Sequence, residues 1–200
     1  MSRLESALRD LVGHLTDLRA RFAVVGGLAV SARTEPRFTR DADVCIAVKT
    51  DAEAEGLIQS LRQEGYDVRA LVEQEAVGRI ATVRLVTTDH EAEGVVLDLL
   101  FASSGIEPEI VEAAEIVEIF EGIRVPLATV PCLLAQKILA RDDVERPQDR
   151  VDIAKLLRVA SDGERVEAER LLTLIESRGF ARQRELIADL RRLRDEFEDA

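Results

Sequence analysis

Phe22-Ala23-Val24-Val25-Gly26-Gly27-Leu28-Ala29-Val30-Ser31-Ala32 joins a short apolar run to a glycine pair and a second apolar run, and Arg37-Phe38-Thr39-Arg40-Asp41-Ala42-Asp43-Val44-Cys45-Ile46-Ala47-Val48 follows closely. Four apolar residues stopped by two glycines predict a strand ending in a tight turn, after which Leu28 to Ala32 begin a short helix. Pro36 and the charges around it make 33 to 40 a loop. The run from Asp43 to Val48 predicts a second strand with two carboxylates at its mouth. Strand, glycine turn, short helix, loop, strand is the opening of a mixed α/β arrangement.

Upstream, Leu4, Leu8, Leu11, Leu15 and Leu18 recur at helical spacing and predict a helix that covers a core face. Downstream, Asp51 to Glu64 predicts a helix closed by Gly65, and two or three strands come next. Arg79 to Thr87 alternates weakly, whereas Val95-Val96-Leu97-Asp98-Leu99-Leu100-Phe101 is apolar throughout except for Asp98. Such a run suits a central strand covered on both faces. A short helix after Pro108 leads to Ile116 to Phe120 and Ile123 to Leu127, a hairpin turning at Glu121-Gly122. From Val130 the pattern is wholly helical, with helices expected over 131–141, 147–160, 164–178 and 182–197. The expected fold class is α/β (α+β): a mixed-sheet core flanked by helices over 1–129, then a C-terminal helical bundle over 130–200.

Composition bounds the function. Two hundred residues, 46% hydrophobic and 33% charged, fit one sizeable core or two small ones and exclude disordered and fibrous classes. With 4% aromatic residues and no Trp, the stacking platform of a dedicated single-strand binder is missing. A net charge of −12 opposes non-specific attraction to nucleic acid. The charge is uneven, however: ten acids and no Lys or Arg lie between Asp89 and Glu121, while Arg19, Arg21, Arg33, Arg37 and Arg40 are opposed only by Glu35 before Asp41. Cys45 and Cys132 sit among apolar residues and read as reduced, buried thiols. The charged amphipathic start and the lack of any long apolar run predict a cytoplasmic protein with no membrane partner.

Asp41 and Asp43 are two apart in extended chain, so both carboxylates face the same side. Paired hard oxygens suit Mg²⁺; the competing reading is a solvated Arg-Asp-Ala-Asp turn. Asp98 interrupts an apolar strand, where an uncompensated carboxylate is costly to bury. It either joins Asp41 and Asp43 around metal ions, or pairs with an arginine, or caps a turn. Gly26 and Gly27 leave room for an anion to approach the backbone at a helix start. Lys137 falls within the stripe of Val130, Leu133, Leu134, Ile138 and Arg141, where it needs a partner such as a triphosphate oxygen unless it reaches solvent. Asp149 and Asp152 extend the stripe of Ile153, Leu156 and Leu157, and also suit a helix N-terminus for its dipole alone.

Val24-Val25-Gly26-Gly27, followed by Arg37-Phe38-Thr39-Arg40-Asp41-Ala42-Asp43, resembles the Gly-Gly or Gly-Ser motif and the Arg-x-Ser/Thr-x-Asp-x-Asp motif of the nucleotidyltransferase superfamily related to DNA polymerase beta. Within it, the chain is similar to the AbiEii/AbiGii toxin group. Asp98 stands at the place of the third carboxylate, Lys137 in the stretch where the family carries a functional lysine, and Arg146 to Asp152 looks like its Arg-x-x-Asp-x-x-Asp segment. Glycine replaces the serine of many relatives at 27, and the last forty residues carry no motif of the resemblance; their Arg178, Arg182, Arg184, Arg191, Arg192 and Arg194 suit RNA, a partner protein or water equally.

The resemblance implies transfer of NMP from an NTP to an acceptor hydroxyl with release of pyrophosphate. It implies two Mg²⁺ ions, with Mn²⁺ as a substitute, on Asp41, Asp43 and Asp98, and nucleotide contacts from Gly26, Gly27, Arg37, Thr39 and Lys137. Asp152 would join the catalytic set. The implied acceptor is tRNA for a toxin of a type IV toxin–antitoxin system, with a cognate antitoxin as partner. The alternatives are a small molecule, as for aminoglycoside-modifying relatives, or a catalytically silent module of the same fold.

Overall fold

A computed structural model describes residues 2–74, 77–87 and 95–198 of the chain. The first helix, α1 (Arg3–Asp17), starts with a capping box in which the Ser2 hydroxyl accepts from Glu5 N–H and the Glu5 carboxylate accepts from Ser2 N–H. Its Leu8, Leu11 and Leu15 are fully buried, as the spacing predicts. Then come β1 (Phe22–Val25), α2 (Gly26–Arg33), β2 (Asp41–Ile46), α3 (Asp51–Gln63), β3 (Tyr66–Gln74), β4 (Arg79–Thr87), β5 (Val96–Leu100) and α4 (Glu107–Ala113). The expected hairpin is β6 (Glu115–Phe120) with β7 (Ile123–Leu127), and the helical part comprises α5 (Val130–Ala140), α6 (Pro147–Val159), α7 (Asp162–Ser177) and α8 (Leu186–Glu198).

Two helix starts differ from expectation for backbone reasons. Gly26 adopts φ +66°, which breaks the strand at Val25 and lets α2 begin two residues earlier than Leu28. Arg182 and Gln183 hold φ of 52° and 60°, a left-handed pair no helix tolerates, so α8 begins at Leu186.

The seven strands form one mixed sheet in the order β3-β4-β5-β2-β1-β7-β6. β2 runs antiparallel to β1 and parallel to β5, and β5 runs antiparallel to β4. The apolar run around Asp98 is thus an interior strand. The acid-rich stretch begins at 89–94, outside the described residues.

One hydrophobic core runs through both parts of the chain, from Leu8 and Leu11 through Val24, Leu97 and Leu99 to Leu134, Ile138, Ile153, Leu156 and Leu172. Each such fully buried aliphatic side chain contributes about 1.5–3 kcal/mol relative to exposure. Helix α5 packs against α2 as well as α6 and α7, and α8 closes over α5, α6 and α7. Cys45 and Cys132 are free and buried, and burial pushes both thiols up. Among the described residues no helix is long and apolar enough to cross a membrane.

Candidate active site

Strand register builds the site. Val25 is paired with Asp43, Asp43 with Asp98, and Asp98 with Arg84, so β1, β2, β5 and β4 contribute one residue each to a continuous row across the sheet. Register partners project to the same face. Val25, Asp43, Asp98 and Arg84, together with Gly26, form one side of a cavity of about 280 Å³. Its other side is built by Leu133, Gln136 and Lys137 of α5, by Asp149 of α6, and by Arg146, Arg182, Ser103 and Ser104.

Asp43 lies against the glycine turn. A Cβ at Gly26 would overlap the Asp43 carboxylate, and a Cβ at Gly27 would stand 2.5 Å from Arg37 Nη2. The glycines therefore make room for two of the chain's own side chains, a reason that sequence reading did not supply. Burial raises the Asp43 carboxyl to about 6, the Asp98 and Asp41 charges push in the same direction, and Lys137 and Arg146 pull it back. Asp41, at the start of β2, is exposed and stands outside the cavity wall.

Asp98 is buried and paired with an arginine. Arg84 Nε donates to Oδ1 at 2.9 Å and Nη2 to Oδ2 at 2.8 Å, a bidentate pair directly across the β4–β5 ladder. This arginine raises no signal in the sequence, because the partner of a strand residue depends on register. Carboxylates on adjoining strands, with Asp41 two residues away, suit a hard dication in donor chemistry. Among the described residues, however, no three His, Cys, Asp or Glu side chains are gathered into a metal-holding group.

Lys137 finds its partners inside the protein. Its Nζ lies 2.6 Å from Asp149 Oδ1 and 3.0 Å from Asp152 Oδ2. Asp152, with no exposed surface, also accepts from Arg37 Nε at 3.0 Å, Arg37 Nη2 at 2.9 Å and Gln148 Nε2 at 3.2 Å. Burial alone would push the Asp152 carboxyl up, but Arg37 and Lys137 together hold it below the usual carboxylate range. Arg37 and Asp152 thus clamp the 34–40 loop to α6. Thr39 is placed elsewhere: its hydroxyl donates to the Asp41 carbonyl at 3.3 Å, and it borders a second groove beside Phe38 and Arg40.

The C-terminal arginines are largely committed within the chain. Arg178 pairs with Glu109, Arg184 and Arg192 with Asp189, and Arg191 with Glu169. Arg182 instead reaches Ser103 O and the cavity wall, where desolvation and the charges of Arg146 and Arg184 lower its pKa.

The family model described as "Nucleotidyl transferase AbiEii toxin, Type IV TA system" matches residues 9–200. Among solved structures, the chain is similar to an antigenic nucleotidyltransferase-like protein from Paracoccidioides brasiliensis, with 20% identity, TM-score 0.54, and 94% of this chain and 92% of that one covered. It is also similar to the antibiotic-resistance factor ANT(2'')-Ia, with 15% identity, TM-score 0.52, and 100% and 94% covered. A third is the lincosamide antibiotic adenylyltransferase LnuA in its lincomycin-bound form, with 15% identity, TM-score 0.50, and 78% and 98% covered. At these identities the likeness is one of fold. No curated protein matches the chain.

Proposed function

We propose, on the premise that this chain belongs to the AbiEii nucleotidyl transferase toxin family, that it moves NMP from an NTP to an acceptor hydroxyl at the cavity between the β1–β2–β5–β4 row and α5. The chain is a nucleotidyltransferase, so an NTP is its substrate; the metal, the residue roles and the acceptor are the reading we add. The observation that carries this reading is the row itself: Asp43 and Asp98 neighbour each other on register-paired strands beside the Gly26 turn, and burial followed by the Asp98 charge raises Asp43.

Asp41, Asp43 and Asp98 would hold Mg²⁺, or Mn²⁺ in its place. The dication would offset triphosphate charge and lower the pKa of the acceptor hydroxyl. The start of α2 at Gly26 and Gly27 offers backbone N–H groups to phosphate oxygens. Lys137, held between Asp149 and Asp152, borders the cavity and supplies fixed positive charge to the same oxygens, and Arg146 and Arg182 add to it. Asp98 would complete the site facing the acceptor, either as a metal ligand or as the base that takes the hydroxyl proton. Arg37 and Asp152 act by anchoring the loop that carries Asp41. Thr39 keeps the start of β2 in position. The division we propose runs near residue 129, with the sheet core before it, the helical part after it, and the cavity between them.

We assign the acceptor to the hydroxyl end of tRNA, on the strength of the toxin family, and expect a cognate antitoxin of a type IV system as partner. A small-molecule acceptor is the second reading, favoured by the net charge of −12 and by the fold shared with two antibiotic-modifying proteins. Incubation with α-labelled NTPs, Mg²⁺, total RNA and a panel of hydroxylated small molecules separates them. A labelled tRNA band supports the first reading, and label on small molecules alone replaces it with the second. Transfer that persists in EDTA or in Asp43→Ala overturns the metal site.

A further inference from the structure

We infer that Arg84 is a built-in counter-cation of the site, which pairs with Asp98 and competes with a dication for that carboxylate. This rests on the metal site proposed above and assigns a residue to its control. Three observations carry it. Arg84 bonds both oxygens of Asp98, at 2.9 and 2.8 Å, so a metal approaching the same fork of the carboxylate meets a guanidinium already there. The Asp98 side chain is 11% exposed and that of Arg84 50%, so the cation can swing to solvent or to a phosphate while the acid cannot follow. Asp98 is the β5 neighbour of Asp43, and the same guanidinium feels Asp41 and Asp43 as well.

A cation fixed to Asp98 also offsets part of the repulsion among Asp98, Asp43 and Asp41. A bound dication would compete with Arg84 for Asp98, and a phosphate oxygen pair would give the freed guanidinium another bidentate partner. Arg84 is therefore a positioning residue: it acts through Asp98 and sets the threshold at which the metal is admitted.

The test uses Mn²⁺ alone, bound to the full-length chain and followed by electron paramagnetic resonance, so that no turnover is involved. Arg84→Gln should bind Mn²⁺ roughly fivefold to tenfold more tightly than wild type, the scale of a half-exposed bidentate pair. Arg84→Lys, a single-point cation, should fall between them, which a loss of folding would not produce. In the Asp98→Asn background, Arg84→Gln should change nothing. Equal or weaker Mn²⁺ binding by Arg84→Gln, or the same gain with Asp98→Asn present, overturns the counter-cation. Absence of Mn²⁺ binding in every form removes the metal site itself, and is thereby distinguished from failure of Arg84 alone.

Discussion

Asp43 concentrates the electrostatic tension of the site in one carboxyl group. Its ordinary value is 3.8, and burial followed by Asp98 and Asp41 raises it to about 6. The folded chain holds this proton more tightly than the unfolded chain, so Asp43 contributes stability that is complete below its ordinary value and is lost as pH rises through about 6. Asp43→Asn removes that loss. In metal-free buffer, Tm of the variant relative to wild type should therefore climb between about pH 4 and about pH 6 and level off above about pH 7; a difference that is flat across about pH 4 to 6 would assign the proton to another group. Gly26 belongs to the same scale. Its φ of +66° and the carboxylate occupying its missing Cβ position make Gly26→Ala strained on two counts. It should cost about 1–3 kcal/mol in urea unfolding and weaken Mn²⁺ binding by displacing Asp43; an unchanged urea midpoint would contradict the contact. The need for glycine at 26 was legible in the sequence, but its cause was not, since the crowding atoms come from another strand.

At the scale of elements, α6 is joined to the 34–40 loop and to α5 through Asp152. This carboxylate is wholly buried and accepts from Arg37, Lys137 and Gln148. Removing it leaves two cations facing each other and the unpartnered Asp149 Oδ2 nearby. Asp152→Ala should lower stability by about 3–5 kcal/mol, as for breaking a buried ion pair from one side, and Asp152→Asn by less, because its amide oxygen still accepts. Urea denaturation monitored by circular dichroism measures both; a loss below about 1 kcal/mol for the alanine variant would mean the clamp carries little. The helices themselves were readable from apolar spacing and caps. What spacing leaves open is the identity of ionic partners: Lys137 in an apolar stripe calls for an anion, and the fold supplies two carboxylates of the chain before any phosphate arrives.

For the whole molecule, the cavity has one wall on the sheet and one on α5 and α6, and the core is continuous from Leu8 to Leu172. A fragment ending at residue 129 exposes the α2 surface that α5 covers and loses Lys137. It should show no cooperative thermal transition and no NTP binding by calorimetry; a fragment that melts cooperatively would make the helical part a separate folding unit. The sequence by itself determined the strand–glycine–helix–loop–strand order, the three acids, and the helical C-terminal part, because periodicity, turn chemistry and the misfit of a charge in an apolar run are local properties of the chain. Only the tertiary structure decided that Asp43, Asp98 and Arg84 share one row, that Lys137 is held by Asp149 and Asp152, and that Arg37 serves Asp152. Those pairings follow from strand register and helix docking, which bring together residues 12 to 115 positions apart, so that neither position alone names its partner.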